Sequence, residues 1–177
     1  LQEMVVRELD HIAFLGEQVR QIEGTIGGLY ETLDPERVLE QQVPGLGPTI
    51  APAIEAWVGD VERFRSVSCF AAYSGLVPRS SQTGVGDGTN SQRMTKGGPS
   101  ILKHYLSPAA ETARRKDPDL AAAYARATAK GHHHYSAVVI VAHKLLRKVY
   151  AILKQRAAAR RAQAEGRVAA PVEYRYN

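Results

Sequence analysis

The sequence predicts an all-α protein: an N-terminal coiled-coil-like helix, then a compact helical domain containing a helix-hairpin-helix and a long polar loop. Three observations predict it. Apolar residues recur at spacings of three and four over long stretches. No segment alternates convincingly with the strand period, and no internal repeat is present. The punctuation between apolar stretches is that of helix ends, as at Asp34-Pro35, Gly59-Asp60 and Gly131. The expected organisation is a helical arm over residues 1–40, a helical domain over 41–157, and a basic, frayed tail over 158–177.

The first element is a seam of Val5, Leu9, Ile12, Leu15, Val19, Ile22, Ile26, Leu29 and Leu33, which is the spacing of a coiled coil. Gly16, Gly24, Gly27 and Gly28 interrupt it. Each costs up to about 1 kcal/mol relative to Ala inside a helix, so the seam needs a partner. Packing on its own domain and pairing with a second subunit fit the periodicity equally well.

Asp34-Pro35 then opens a short helix over 35–42. Pro44-Gly45-Leu46-Gly47-Pro48 turns, and Thr49 to Val58 forms a small-residue helix. In that helix Ala51, Ala53 and Ala56 allow close packing, and Trp57 is expected in the core. Helix, Gly-x-Gly turn, helix is the layout of a helix-hairpin-helix, in which Gly45 and Gly47 let backbone N–H groups approach a DNA phosphate. The same string also serves plain helix turns.

Ser66 to Ser74 reads as a helix with Phe70 and Tyr73 inward and Cys69 as a small buried hydrophobe. Residues 75–98 form the polar loop. Pro99 to Arg115 is helical, with Ile101, Leu102, Tyr105, Leu106, Ala109 and Ala110 on its apolar face. The helix that starts near Pro118 ends at Gly131. A last helix runs from Ser136 to Ala159, lined on one side by Val139, Ile140, His143, Leu146, Val149, Tyr150 and Leu153.

A chain of 177 residues buries one good core. One cysteine permits no internal disulfide and fits a reducing, cytoplasmic setting. No apolar run is long enough to span a membrane. The first residue is Leu1, so a piece of a longer polypeptide is expected. Charge is divided unevenly. Residues 1–90 hold 6 Lys and Arg against 13 Asp and Glu, and residues 91–177 hold 17 against 5. The basic half reads as a nucleic-acid surface, and its bland counterpart is a solvated helical face with a basic tail.

The loop carries the chemistry. Its first part reads Gly75-Leu76-Val77-Pro78-Arg79-Ser80-Ser81-Gln82-Thr83-Gly84, and Arg93-Met94-Thr95-Lys96-Gly97-Gly98-Pro99 follows. A core has no use for such a mixture of small hydroxyls, glycines and cations, whereas a phosphate-binding loop does. A hydroxyl that attacks a phosphodiester holds the DNA end as a phosphoester and keeps the bond available for rejoining. The hydroxyls are present, and Arg79, Arg93, Thr95 and Lys96 can meet the phosphate. Lys103 and His104, just beyond, are further phosphate contacts. No acidic group near the loop except Asp87 can help remove the proton. Turn capping is the competing role for these hydroxyls. His132-His133-His134 cannot jointly chelate one ion from a helix and reads as a polar helix start beside nucleic acid. His143 reads as a packing residue, and no metal site is expected in the chain.

Three strings in register resemble one family. Val43-Pro44-Gly45-Leu46-Gly47, Phe70-Ala71-Ala72-Tyr73-Ser74-Gly75-Leu76-Val77-Pro78 and Arg93-Met94-Thr95-Lys96-Gly97-Gly98 resemble the signature of the C-terminal domain of insertion-sequence transposases of the "one-ten" family, the Piv-like DEDD recombinases. The resemblance covers about residues 40 to 155. It implies a two-part enzyme in which an N-terminal RuvC-like domain binds Mg²⁺ through four acidic residues, a coiled coil follows, and the C-terminal domain carries a nucleophilic serine. It also implies DNA and a structured, bridge-type guide RNA as partners and a prokaryotic, nucleoid-associated setting, while the N-terminal seam itself suggests a homo-oligomer paired through that helix. By residue matching the nucleophile position is Thr83, where the family has Ser. Ser81 and Ser80 are the next candidates if the register slips. The branched Thr side chain is stiffer at χ1 but chemically competent. The acidic domain is not in this sequence, so the chain by itself is expected to be inactive and to hold no cofactor. A non-catalytic helix-hairpin-helix binding module and a helical oligomerisation protein remain the alternatives.

Overall fold

A computed structural model describes residues 2–76, 78–79, 93–94 and 100–166, with the backbone alone at residues 78, 79, 93, 94 and 100. The described chain is all-α apart from two two-residue strands. It divides into two compact units, Leu1–Val38 and Leu39–Asn177.

The first unit is built on α1 (Gln2–Leu33), a helix of 32 residues. All nine seam residues from Val5 to Leu33 are exposed. Its four internal glycines have open space where a Cβ would stand. Polar contacts on its surface are local: Arg20 donates to Glu17, and the Thr25 hydroxyl donates to the Gln21 carbonyl. The helix stops at Asp34, whose carboxylate accepts the Val38 N–H at 2.9 Å.

The second unit continues through α2 (Val38–Gln42), α3 (Ile50–Val58), a 3-10 turn (Val61–Arg63) and α4 (Val67–Tyr73). Strands β1 (Pro78–Arg79) and β2 (Arg93–Met94) pair antiparallel. Then follow α5 (Ser100–Lys116), α6 (Pro118–Ala129) and α7 (His134–Ala164). Helices α5, α6 and α7 pack on one another, while α3 lies on α5 and α4 on α7. Local caps fix the ends. Asp117 accepts the N–H groups of Asp119 and Leu120 at the start of α6, with Pro118 in its first turn. Ser66 caps α4 through the Cys69 N–H.

Several expectations need correction. The buried face of α7 is Ala137, Val138, Val141, Ala142, Leu145, Leu146, Val149, Ile152 and Leu153. The sequence reading placed Val139, Ile140 and His143 inward instead. Ala137 and Ala142 take those places because small side chains allow α5 and α6 to approach closely, so the apolar stripe turns away from the bulkier residues. The helix also continues to Ala164, into the segment expected to fray.

Trp57 is 43% exposed, and its carbonyl accepts the Tyr73 hydroxyl at 3.0 Å and the Arg63 guanidinium at 3.3 Å. Cys69 is exposed, with its Sγ accepting the Ser66 hydroxyl at 3.3 Å. Phe70, one position along, takes the core place, inside a cluster with Phe64 and Tyr150. Strands of two residues are too short to show a sequence period, which is why β1 and β2 were not foreseen.

Candidate nucleic-acid interface

Gly45 and Gly47 sit in one turn but face different surroundings. Gly45 has φ +90°, and a Cβ on it would stand 2.4 Å from the Ala109 carbonyl oxygen of α5. Its lack of a side chain is therefore used to bring the turn against the α5 backbone. A Cβ on Gly47 would meet nothing within 4 Å.

Thr83, Ser81, Ser80, Thr95 and Lys96 lie outside the described residues. Arg79 and Arg93 belong to β1 and β2 and are register partners. The two cations that sequence reasoning drew from opposite ends of the loop are thus brought to the same rung of one ladder.

Leu76, which precedes the hydroxyl-bearing segment in sequence, is buried and lines a cleft of about 1170 Å³. Lys103, in the first turn of α5 beyond that segment, lines the same cleft. The chain therefore borders this cleft on both sides of residues 77–99. The other walls come from α5, through Ser107, Pro108 and Glu111, and from the start and flank of α7, through His134, Tyr135, Ser136, His143, Lys144 and Arg147, with Val138, Val139 and Ile140 giving it an apolar floor. A smaller recess of about 190 Å³ adjoins it, sharing His132 and Lys144 and adding Arg126 and Lys130.

The electrostatics of the cleft are one-sided. Lys103, Lys144 and Arg147 contribute positive charge. Its carboxylate, Glu111, is already engaged: Arg114 Nε donates to it at 2.7 Å and Arg115 at 2.9 Å. The Arg114 hydrogen bond, helped by Arg115 and opposed by partial burial, lowers the Glu111 pKa from 4.5 to about 2. The cleft thus keeps a net positive lining. A polyanion entering it meets cations that have no ion pair among the described residues, and an acid already neutralised by its own helix. His143 is half-buried, and burial followed by the Arg147 charge pushes its pKa below the ordinary histidine value. It therefore stays neutral near pH 7, able to accept or donate one hydrogen bond.

The start of α7 adds polar groups. Its N-cap residue, His133, makes no side-chain cap, so the first-turn N–H groups receive no acceptor from it. The His134 Nδ1 lies 2.8 Å from the Tyr124 hydroxyl, which fixes the ring. Among the described residues no group of three or more His, Cys, Asp or Glu can hold a metal ion, and the histidine run forms no such cluster.

Of the candidates named from sequence, Lys103 is on the cleft. His104 is exposed and packs edge-on against Tyr105, and it does not line the cleft. Sequence reasoning missed Tyr135, Lys144 and Arg147 as site residues. The available signal was the excess of basic residues after position 90, but only the packing of α7 on α5 selects which of them face the cleft.

A family model described as "Transposase IS116/IS110/IS902 family" matches residues 38–125. The "Insertion element IS110 uncharacterized 43.6 kDa protein" of Streptomyces coelicolor is 28% identical over 138 residues, covering 78% of this chain and 33% of that protein. The "Pilin gene-inverting protein" of Moraxella bovis is 25% identical over 149 residues, covering 82% of this chain and 46% of the relative. The protein of the same name from Moraxella lacunata gives the same figures. The chain thus spans a third to about half the length of these relatives.

Proposed function

The chain belongs to the IS116/IS110/IS902 transposase family, and from that premise we propose that it is the DNA-binding catalytic half of a transposase or site-specific recombinase. The observation that carries the reading is the basic cleft bordered by the chain on both sides of residues 77–99, the segment that holds the hydroxyls. A fold alone would not name a function; cations on a cleft that the chain lines at Leu76 and again at Lys103, before and after the sequence that holds the hydroxyls, support this one.

In the proposed reaction the Thr83 hydroxyl oxygen attacks a DNA phosphorus. A P–O ester bond to the neighbouring nucleotide breaks, that oxygen takes up a proton, and the threonine proton passes to a base. The reverse attack by another strand's hydroxyl releases Thr83 and rejoins the DNA. Positively charged groups around the phosphate stabilise the transition state. Among those proposed, Arg79 and Arg93 share a rung, and Lys103 lines the cleft. Mg²⁺ is proposed to be held by the RuvC-like acidic domain that the family resemblance implies. A bridge-type RNA partner and pairing of two copies through the exposed α1 seam complete the reading.

A non-catalytic helix-hairpin-helix module is the less favoured reading, because Gly45 is already accounted for by its contact with α5. The deciding experiment traps covalent protein–DNA adducts with the chain joined to its acidic domain. Thr83→Ala is expected to lose the adduct while binding persists. Thr83→Ser should keep or raise it, and Ser81→Ala should be mild. Adducts that survive Thr83→Ala but vanish in Ser81→Ala or Ser80→Ala would move the nucleophile to that serine. Adducts that survive all three changes would sink the hydroxyl mechanism on this loop.

A further inference from the structure

Tyr135 is 77% exposed, more than any other large hydrophobic residue among those described. An aromatic ring left in water forgoes the burial that normally stabilises a fold, and no core contact explains its place. The row behind it is held firmly. Arg114 lies over the Tyr124 ring at 4.3 Å, the Tyr124 hydroxyl is within 2.8 Å of His134 Nδ1, and the His134 ring stands 5.7 Å from that of Tyr135, edge to face. In front of it is the cleft, with Lys103, Lys144 and Arg147 on its walls.

We propose that Tyr135, supported by His134, is a stacking platform for an unpaired DNA base at the mouth of this cleft, with Lys103, Lys144 and Arg147 taking the flanking phosphates. The inference rests on the DNA-binding reading above and names which form of DNA the cleft takes. Bases inside a duplex have both faces covered by their neighbours, so only an unpaired base can offer a face to an exposed ring. Cations beside an aromatic ring are the combination that holds a single strand without reading its sequence. Strand exchange passes through unpaired bases next to the cut, and a platform there offsets part of the lost stacking. The occupant is a single-stranded DNA segment, since cutting and rejoining of DNA is the chemistry proposed for this chain.

The test titrates the 177-residue chain into single-stranded DNA carrying 2-aminopurine, whose fluorescence falls when it stacks on a ring. Matched duplex DNA and single-stranded RNA are titrated alongside. The wild type should quench the single-stranded DNA probe. Tyr135→Ala should abolish the quenching and weaken single-strand binding roughly five-fold or more. It should leave duplex binding and the salt dependence unchanged, and Tyr135→Phe should restore wild-type behaviour. Lys144→Ala and Arg147→Ala should each lower the salt slope by about one. If those slopes fall but Tyr135→Ala quenches and binds as the wild type does, the platform is wrong and the DNA-binding cleft stands. If neither slope moves, the cleft is not the DNA site and both readings fall. Tighter, equally quenched binding of the RNA would overturn DNA as the occupant. Tyr135 is exposed in the first turn of α7, so its substitutions should not disturb the fold.

Discussion

Arg156 of α7 grips Glu55 of α3 with two hydrogen bonds across 101 residues of sequence, Nη1 donating to Oε1 at 2.8 Å and Nη2 donating to Oε2. The Glu55 side chain is only 3% exposed and that of Arg156 12%. Two charges withdrawn from water this far are tolerable only together. Arg156→Met should therefore destabilise the second unit by about 3–5 kcal/mol, because it strips the buried Glu55 carboxylate of its bidentate Arg156 partner. Adding Glu55→Leu to that variant should recover much of the loss. Urea unfolding of the two variants checks this, and a double variant no more stable than Arg156→Met would show that the pair's geometry matters more than its charge.

Acid should weaken the same unit through two depressed carboxylates. Burial pushes the Asp117 pKa up, but Lys148 and the N–H groups of Leu120 and Asp119 outweigh it, and the net shift is downward. Glu111 stands at about 2 against an ordinary 4.5. Groups depressed in the folded state bind protons more readily when unfolded. Their stabilisation is fully present above the unfolded values and lost as pH falls towards the folded ones. Unfolding free energy should stay level near pH 6 and drop from about pH 4.5 down towards pH 2. Glu111→Gln should flatten part of that drop. A variant with the full wild-type slope would remove Glu111 from the account.

The turn glycines divide sharply. A methyl group on Gly45 would collide with the α5 backbone at Ala109, and its φ of +90° disfavours any L side chain as well. Gly45→Ala should cost more than about 2 kcal/mol, since backbone rather than a flexible side chain blocks the space. Gly47→Ala meets open space and should be nearly neutral for stability. Thermal melts of the two separate packing from binding. A Gly47→Ala variant that folds normally yet loses DNA affinity would place that turn against phosphate.

The all-α class was legible because helical spacing and helix-end residues agree from Asp34 through Gly131. The family signature was legible too, since its three strings hold their order. What stayed hidden depends on contacts between distant segments. Nothing in the sequence pairs Glu55 with Arg156 or Asp117 with Lys148. The α7 face was misjudged because alanines, weak signals in any apolar count, occupy the closest contacts at Ala137 and Ala142. Apolar character predicts Cys69 and Trp57 in the core, while their neighbours Phe70 and Val58 are the ones fully buried. Lys144, Arg147 and Tyr135 gained meaning only once α5 and α7 enclosed a cleft.

The last prediction concerns α1. Its seam from Val5 to Leu33 is 37–67% exposed, on a helix broken up by four glycines. Each glycine weakens the helix by up to about 1 kcal/mol. A helix like that, alone in water, is marginal and gains stability chiefly by burying its apolar stripe. The proposed pairing of two copies supplies the burial, because identical seams are complementary to one another. The chain should therefore sediment as a dimer or larger at micromolar concentration. Ile22→Glu with Ile26→Glu should convert it to monomer and lower its helicity, since both positions lie on the seam and charges there repel across it. Wild-type mass and helicity should fall on dilution, whereas those of the variant should not change with concentration. A monomeric wild type with full helicity at the lowest measurable concentration would show that α1 is stable unaided, and pairing would then have to be abandoned as the reason for its exposed stripe.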